Sequence, residues 1–313
     1  MATAVSTLGY MDAPIPTKPL DEAIPGAGDG ADARRGALPN LVVIGAQKCG
    51  TSGLHYQLGL HPEIWMSRPK ELNFFIEERN WNRGEDWYRV YFDARARVRG
   101  ESSPNYTAYP QHLGVPERMR SVIPDAKLVY VVRDPLERIA AHWVHNYAKR
   151  REKGDLRATL THANTSYVVR SQYHMQLQQF LGHYPFEQTL VIEQEELRSK
   201  PEETLRRVFE FIGVDPGFSH PHVGKQRHET SRKTRASRFA VRLERLSGTR
   251  GGRIVPKNVW LAIDEKLARR RPIERPDVRI ALGPDALQVL REDAERLREL
   301  TGRDFETWSI WDA

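Results

Sequence analysis

A turn between Gly45 and Ser52 carries the first residues of the sequence that could do chemistry. It contains Lys48, follows a run of apolar residues and opens a segment of helical character. Successive backbone N–H groups at the start of a helix, together with the helix dipole, form a binding site for anions. A lysine inside such a turn would lie near a 5′-phosphate and the group that leaves from it. The turn therefore predicts a phosphate-binding loop.

This loop differs from that of the nucleotide triphosphatases. Their pattern, GxxxxGK[ST], places lysine directly after the second glycine, where it reaches the β- and γ-phosphates. Here Thr51 follows Gly50, and Lys48 lies two residues before that glycine. The hydroxyls of Thr51 and Ser52 add hydrogen-bond donors, so a shorter, metal-free anhydride suits the loop better. The alternative interpretation is an ordinary strand-to-helix turn with a solvated lysine.

A carboxylate beside two aromatic residues is a candidate base. Glu71 lies in the segment KELNFF, close to Phe74 and Phe75. Burial beside apolar rings raises the pKa of a carboxyl group and makes it a better proton acceptor. The neighbouring Lys70 would oppose that shift. The alternative interpretation is a surface carboxylate that caps a helix or forms an ion pair.

Three apolar segments predict the strands that must position these residues. Leu41–Ile44, Leu128–Val132 and Leu190–Ile192 are each followed by a helix-like segment. Apolar runs of this length suit strands buried on both faces of a parallel sheet, and strand–helix alternation implies right-handed crossovers. We expect one α/β domain of P-loop-like type, with a central parallel sheet flanked by helices. Arg133 then lies at the carboxyl end of the second strand, where a salt bridge to Asp134 or helix capping is the alternative to ligand binding.

Composition places limits on the rest of the chain. Residues 1–38 are rich in Ala, Gly, Pro and Asp without apolar periodicity, which predicts a disordered tail before a domain spanning 39–313. Cys49 is the single cysteine, so an internal disulfide is excluded and a reducing compartment is favoured. The sequence shows neither a signal peptide nor a membrane-spanning run, and its His residues lack a metal-binding pattern. We therefore expect a cytoplasmic protein without a metal or a membrane partner.

The excess positive charge is local. The chain carries a net charge of +7, and the segment 225–253 holds ten basic and two acidic residues. Such a segment indicates an anionic ligand near it, with a solvated surface as the alternative interpretation.

Several motifs, in this order and spacing, resemble those of the 3′-phosphoadenosine 5′-phosphosulfate (PAPS)-dependent sulfotransferases, above all the heparan-sulfate-type branch and its bacterial relatives. The likeness covers about Asn40 to Trp308. Each motif is short, and their ordered combination is the specific signal. The motifs are IGAQKCGTSGLHYQLGLHPEI, KELNFF, GESSPNYT, VVRDPLERIAAHW, RSQYHMQLQQFLGHYPFEQTLVIEQEEL and ELTGRDFETW.

The resemblance implies PAPS as the sulfuryl donor, which leaves as adenosine 3′,5′-bisphosphate. It implies that Arg133 grips the 3′-phosphate, and Ala141 stands where the family usually has a serine that helps it. Without this serine, the 3′-phosphate is bound less tightly, unless His142 or the basic segment 225–253 supplies the missing contact. The residues implied to bind PAPS are Lys48, which contacts the 5′-phosphosulfate; Cys49, Gly50, Thr51 and Ser52, which cradle the 5′-phosphate; Arg133; and, from the late basic segment, Arg227 and Lys233.

The acceptor side follows from the same resemblance. Glu71 matches the usual base of the heparan-sulfate-type branch, with His142 as the alternative base, and Lys48 would stabilise the leaving phosphate. Ser102, Tyr173 and His174 fall where the family lines its acceptor cleft. Ser102 occupies a position that often holds lysine in polysaccharide-modifying members, which argues against a strongly anionic glycan. The acceptor is thus a hydroxyl or amine of a small molecule or glycan, and the oligomeric state stays open.

Two other functions compete with sulfuryl transfer. A P-loop kinase or nucleotide hydrolase would explain the strand, turn and sheet, but it needs lysine after Gly50 and a strand-end aspartate for magnesium. A nucleic-acid-binding protein would use the segment 225–253 as a phosphate-tracking stripe, but it leaves Lys48 and Glu71 unexplained. We therefore expect a sulfotransferase that does not bind nucleic acid.

Overall fold

The computed structural model describes residues 36–149, 151–152, 156–160, 162–223 and 273–313. A parallel sheet of five strands, in the order β2-β3-β1-β4-β5, forms the centre of this part of the chain. The expected α/β fold with a central parallel sheet is thereby confirmed. The strands are β1 (Leu41–Gly45), β2 (Ile64–Met66), β3 (Val98–Ser102), β4 (Lys127–Val132) and β5 (Thr189–Glu193).

Helices flank the sheet. Short 3₁₀ turns accompany them at Trp81–Arg83, Phe186–Gln188 and Ser309–Asp312. The helices in the described ranges are α1 (Thr51–Leu58), α2 (Gly84–Arg89), α3 (Val115–Val122), α4 (Pro135–Ala148), α5 (Leu156–Leu160), α6 (Ser166–Val169), α7 (Tyr173–Leu181), α8 (Gln194–Ser199), α9 (Pro201–Ile212), α10 (Val278–Ala281) and α11 (Pro284–Thr301). None of them has the length and apolar composition needed to span a bilayer.

The apolar runs form the central strands for the reason that the sequence suggests. All five residues of β1 are buried, as are the last five of β4, so both faces of these strands lie under helices. The predicted strands at 41–44, 128–132 and 190–192 are thus present as β1, β4 and β5. The long helix α9 ends at Gly213, whose φ of 80° is the left-handed conformation of a helix terminus.

A search for apolar runs does not predict β3, because most of its residues are polar or glycine. Its sequence is VRGES, and Glu101 and Ser102 are fully buried within it. Buried polar groups are stable only where each finds a hydrogen-bond partner. Glu101 accepts a hydrogen bond from Ser103, the residue after the strand, and the Ser102 hydroxyl is bonded to His55 in α1.

The strand order places a crevice between β1 and β4. The connection after β1 runs towards β2, on one side of the sheet, whereas the connection after β4 runs to β5 on the other side. In open parallel sheets, ligands bind beyond the carboxyl ends of the strands at such a reversal. The loops that follow Gly45 and Val132 meet at this point, and the carboxyl end of β3 lies next to them.

Candidate active site

The loop after β1 leads into the amino terminus of α1. Gly50, with φ of 91°, precedes α1, and its carbonyl accepts hydrogen bonds from the N–H groups of Gly53 and Leu54. The N–H groups of Thr51 and Ser52 therefore have no acceptor within the helix. Outward-pointing N–H groups and the positive end of the helix dipole favour an anion at this position.

The base of the loop is packed closely against the sheet. A Cβ atom at Gly45 would lie 2.0 Å from the Thr107 hydroxyl oxygen, so only glycine fits there. The N–H of Ala46 donates to the Val131 carbonyl at 2.7 Å, and that of Cys49 donates to the Ala46 carbonyl at 3.2 Å. Cys49 thus contributes to the internal turn of the loop.

The thiol of Cys49 is a packing group. Its side chain is fully buried, with the sulfur 3.5 Å from the Tyr173 hydroxyl. Burial raises the pKa of the Cys49 thiol to about 11, so it is a neutral thiol at physiological pH.

Two buried arginines hold Gln47, the residue before Lys48. Arg138 donates through Nε to the Gln47 carbonyl at 3.2 Å, and Arg170 donates to its side-chain oxygen at 2.8 Å. In the described residues, the hydrogen-bond partners of both guanidinium groups are neutral. Burial and the charges of Arg138 and Arg79 lower the pKa of Arg170 to about 9. The loop therefore lies beside a concentration of positive charge that a bound anion would neutralise.

Glu71 lies at the neighbouring edge of β3. Its backbone N–H donates to the Ser102 carbonyl at 3.0 Å, and its φ of 66° is left-handed, as is that of Lys48 at 76°. The carboxylate accepts a hydrogen bond of 2.7 Å from the ammonium group of Lys70.

The acidity of Glu71 corrects one expectation from the sequence. Burial raises the pKa of this carboxyl, but the charges of Lys70 and Lys48 and the hydrogen bond from Lys70 lower it more, so the net shift is downward. The phenylalanine rings beside it are buried in an aromatic cluster around Tyr88. Glu71 is thus ionised at neutral pH, and Lys48 is near enough to contribute to the lowering of its pKa.

A buried carboxylate supports the segment that carries Glu71. Glu101 accepts hydrogen bonds from the hydroxyls of Ser103 at 2.7 Å, Tyr106 at 2.8 Å and Tyr88 at 2.5 Å. Ser103 in turn accepts from the N–H of Asn73 at 3.0 Å. Burial raises the pKa of Glu101. Glu101 is not among the predicted site residues, and its one signal in the sequence is an acidic residue directly before two serines in GESSP.

Arg133 lies at the carboxyl end of β4, as predicted. Its ion-pair partner is Glu137 and not Asp134. Arg133 is buried and donates to Glu137 at 2.8 Å, one helical turn along α4. Asp134 instead caps α4, accepting from the N–H groups of Leu136 and Glu137. Arg133 Nε is buried without a hydrogen-bond partner among the described residues, and the guanidinium of Arg275 also reaches Glu137.

His142 is held in one tautomer. Its Nδ1 lies 3.1 Å from the guanidinium of Arg138, which can only donate, so Nδ1 is the acceptor. Burial, followed by the charges of Arg138, Arg170 and Lys48, lowers the pKa of His142 well below its ordinary value of 6.5. The neutral ring therefore carries its proton on Nε2, and it offers a donor there rather than a base.

Comparison with known proteins identifies the family to which this site belongs. The family model described as "Sulfotransferase domain" matches residues 38–241, more than half of the chain. The chain belongs to the sulfotransferase domain family. The resemblance drawn from the motifs is thereby confirmed.

Individual relatives agree with this family assignment. The human bifunctional heparan sulfate N-deacetylase/N-sulfotransferase 2 is 28% identical over 205 residues, covering 58% of this chain and 23% of the relative. The human heparan sulfate glucosamine 3-O-sulfotransferase 5 is 28% identical over 195 residues, covering 58% of this chain and 55% of the relative. The chain thus spans less than a quarter of the first protein and about half of the second.

A solved sulfotransferase shares the fold. The crystal structure of a sulfotransferase from Alicyclobacillus acidocaldarius superposes with a TM-score of 0.61 at 26% identity, covering 87% of this chain and 99% of that one. The α/β fold with its central parallel sheet is thus that of a sulfotransferase.

The three predicted acceptor residues of this sulfotransferase domain differ in their surroundings. Ser102 is buried, with its hydroxyl 2.9 Å from His55 Nδ1. Tyr173 is fully buried below the phosphate loop, so its side chain offers no open surface. His174 follows Tyr173 in α7, and its side chain contacts Gln178 on the same helix. The predicted residues Arg227 and Lys233 lie outside the described residues.

The described part of the domain contains no group of three or more His, Cys, Asp and Glu side chains arranged to hold a metal ion. The residues that meet at the crevice are instead mostly basic or amide-bearing, with Glu71, Glu101 and Glu137 as the carboxylates described among them. Those that the sequence analysis missed are Gln47, Asn73, Asn105, Glu101, Arg138, Arg170 and Arg275.

Proposed function

We propose that this protein transfers a sulfuryl group from PAPS to a hydroxyl or amine of a small-molecule or glycan acceptor. The observation that carries the proposal is that Lys48, in the turn after β1, and Glu71, whose N–H donates to the Ser102 carbonyl at the end of β3, both lie at the carboxyl edge of the sheet. An ammonium group in a phosphate-binding turn acts electrostatically on a carboxylate that is ionised at neutral pH. A leaving phosphate and an acceptor proton need these two groups, respectively.

The residues around the crevice fit an adenosine 3′,5′-bisphosphate group. The N–H groups of Thr51 and Ser52 would bind the 5′-phosphate, and Lys48 would contact the oxygen that leaves. Arg133, whose Nε has no hydrogen-bond partner in the described part, would bind the 3′-phosphate. Arg275 is a candidate for the donor that the family usually supplies from a serine at position 141, because it shares Glu137 with Arg133.

In the proposed reaction, Glu71 removes the proton from the acceptor as its oxygen or nitrogen attacks sulfur. A bond forms between the acceptor atom and sulfur, and the bond between sulfur and the bridging oxygen breaks. The electron pair stays on the 5′-phosphate of the leaving bisphosphate, where Lys48 stabilises it. His142 would assist through its Nε2–H as a hydrogen-bond donor, and the reaction requires no metal in this proposal.

The structure weakens the kinase or hydrolase alternative. The aspartate after β4 would have to bind magnesium, but the carboxylate of Asp134 accepts from the N–H groups of Leu136 at 2.8 Å and Ser309 at 2.6 Å. The nucleic-acid alternative depends on the segment 225–253, which lies outside the described residues. Cytoplasmic location and the absence of nucleic-acid and membrane partners stay predictions from the sequence.

Calorimetric titration with adenosine 3′,5′-bisphosphate, and separately with ATP and magnesium, tests the donor site. We expect metal-independent bisphosphate binding that Lys48→Ala weakens at least tenfold, since a charge-assisted contact contributes about 1.5–3 kcal/mol. Lys200→Ala, at an exposed lysine before α9, is the control. A preference for ATP with magnesium, or no nucleotide binding by the folded wild type, would contradict the proposed function.

A further inference from the structure

A chain of side-chain hydrogen bonds connects the phosphate loop to the segment that carries Glu71. Arg170 donates to the Gln47 side-chain oxygen at 2.8 Å and to the Asn105 side-chain oxygen at 3.3 Å. Asn105 donates through its amide nitrogen to the Asn73 side-chain oxygen at 3.2 Å. Asn73 then donates to the backbone carbonyl of Glu71 at 2.7 Å. One end of this chain thus adjoins Lys48, and the other end is Glu71 itself.

The direction of these hydrogen bonds is fixed by chemistry. A guanidinium group only donates, so Gln47 and Asn105 must each turn a side-chain oxygen towards Arg170. The amide nitrogen of Asn105 then has to face Asn73, whose own oxygen accepts and whose nitrogen donates onwards. A reversed amide at any position would place two donors or two acceptors in contact. The connection therefore has one stable arrangement.

Burial makes this arrangement rigid. Arg170 and Asn105 are each 7% exposed, and Asn73 is 6% exposed. A broken hydrogen bond between such groups is not replaced by bulk water, so it costs more than a surface bond. The backbone at both ends is also strained, because Lys48, Glu71 and Asn73 all have positive φ. Residues in this conformation persist where surrounding contacts hold them.

We propose that Arg170 and Asn105 are positioning residues that fix the separation of Lys48 and Glu71. The proposal rests on the proposed function, in which these two residues stand on opposite sides of the transferred sulfuryl group. In-line transfer requires the acceptor atom, sulfur and the leaving oxygen to be aligned, and a displacement of about 1 Å can cost about 10²-fold in rate. Arg170 and Asn105 act on this alignment without touching the reacting atoms.

Substitutions can separate positioning from direct binding of an anion by the Arg170 charge. Arg170→Lys keeps the charge but cannot donate to Gln47 and Asn105 in the same forked geometry. Asn105→Ala removes the hydrogen bonds that join Asn105 to Arg170 and to Asn73, and it leaves Arg170 in place. Arg99→Gln is the control, because Arg99 is another arginine that donates to two neutral oxygens, here the backbone carbonyls of Leu38 and Ala96, but it lies near the amino end of β3.

The experiment follows turnover of PAPS to the bisphosphate, with glucosamine as an acceptor probe that offers hydroxyls and an amine. For both Arg170→Lys and Asn105→Ala, we expect kcat to fall by about 10- to 10²-fold, while the Kd for adenosine 3′,5′-bisphosphate changes by less than about threefold. The double variant should lose no more than the worse single variant, since both break one connection. Arg99→Gln should retain the wild-type kcat.

Amide hydrogen exchange of residues 46–50 and 71–75 gives a second measurement that does not depend on turnover. We expect faster exchange in both segments of the Asn105→Ala and Arg170→Lys variants and unchanged exchange in Arg99→Gln. Wild-type kcat in Arg170→Lys, or unchanged exchange at 71–75, would overturn the positioning role. A tenfold loss of bisphosphate affinity with kcat retained would assign Arg170 to anion binding instead. A wild type that binds no bisphosphate refutes the proposed function, and the exchange data still test the connection.

Discussion

At the residue scale, the contact between Lys70 and Glu71 determines how the candidate base behaves. Two opposite effects act on the carboxyl: burial raises its pKa, and the charges of Lys70 and Lys48 lower it. The lysines prevail, so Glu71 is a weaker base than a desolvated carboxylate but is fully ionised at neutral pH. Positioning and charge stabilisation must then contribute more to the rate than basicity does.

Replacing Lys70 with methionine should move the acidic limb of the pH–rate profile. The ammonium group stabilises the carboxylate, so its loss leaves burial as the larger effect and raises the pKa of Glu71. We expect the pH at which PAPS turnover falls to half its maximum on the acidic side to be higher in Lys70→Met than in the wild type.

The control is Arg118→Met, which removes a cation that pairs with Glu77, an exposed residue of the same segment. The acidic limb should stay in place in this variant. An unchanged acidic limb in Lys70→Met would show that Glu71 is not the group whose ionisation controls turnover.

The sequence predicts some of these residues and not others for a physical reason. Lys48 and Arg133 follow apolar runs that locate strand ends along the chain, and Glu71 is indicated by the two phenylalanines near it and by the family resemblance. Arg170 and Asn105 act through neutral amides that come together only in the folded protein. No spacing in one sequence indicates such contacts, because any Asn or Gln could supply the oxygen.

At the element scale, α11 supports the helix that follows Arg170. Asp293, in the middle of α11, accepts hydrogen bonds from the N–H groups of His174 at 2.9 Å and Met175 at 2.8 Å. These are two of the unpaired donors in the first turn of α7, so a residue distant in sequence serves as its cap. Burial raises the pKa of Asp293 from 3.8 to about 6, although both hydrogen bonds lower it.

This raised pKa predicts a pH dependence of stability. Between about pH 4 and pH 6 the folded protein holds a proton on Asp293 that the unfolded chain has released. The free energy of unfolding should therefore fall as the pH rises through this range, by up to about 3 kcal/mol. Asp293→Asn removes the titration, so the difference between wild type and variant should change by this amount.

Urea unfolding at pH 4, 5, 6 and 7 measures that difference, and Asp86→Asn, at an exposed position on α2, is the control. The Asp86 variant should follow the wild type in parallel over this range. Parallel curves for wild type and Asp293→Asn would contradict the raised pKa.

Strands differ in how well the sequence predicts them. β1, β4 and β5 are apolar and buried, so composition and burial agree. β3 carries a buried carboxylate whose partners, Ser103, Tyr106 and Tyr88, lie outside the strand. A carboxylate that is stable in the core only through hydroxyls outside its own strand does not fit an apolar pattern. The sequence therefore does not predict the strand that contains it.

At the scale of the whole molecule, the start of the domain at about residue 39 is a prediction, and the contacts of Leu38 and Asn40 suggest how to test it. Asn40 joins two strands: its N–H donates to the Arg99 carbonyl at 2.9 Å, and its carbonyl accepts from the N–H of Lys127 at 2.9 Å. Its side chain bonds to the Arg97 carbonyl at 3.0 Å and to the Arg99 N–H at 2.7 Å. Leu38 packs against the core, and its carbonyl accepts from the Arg99 side chain.

Two truncations test this boundary. Removing residues 1–35 should change the free energy of unfolding by less than about 0.5 kcal/mol, the range of surface changes, because the contacts of Leu38 and Asn40 remain. Removing residues 1–40 deletes those hydrogen bonds, at about 1 kcal/mol each, and exposes the amino ends of β1 and β3. We expect it to lower the free energy of unfolding by several kcal/mol, as measured by urea denaturation. Equal stability of the two truncations would place the start of the domain after Asn40, whereas a large loss on removing 1–35 would place it earlier.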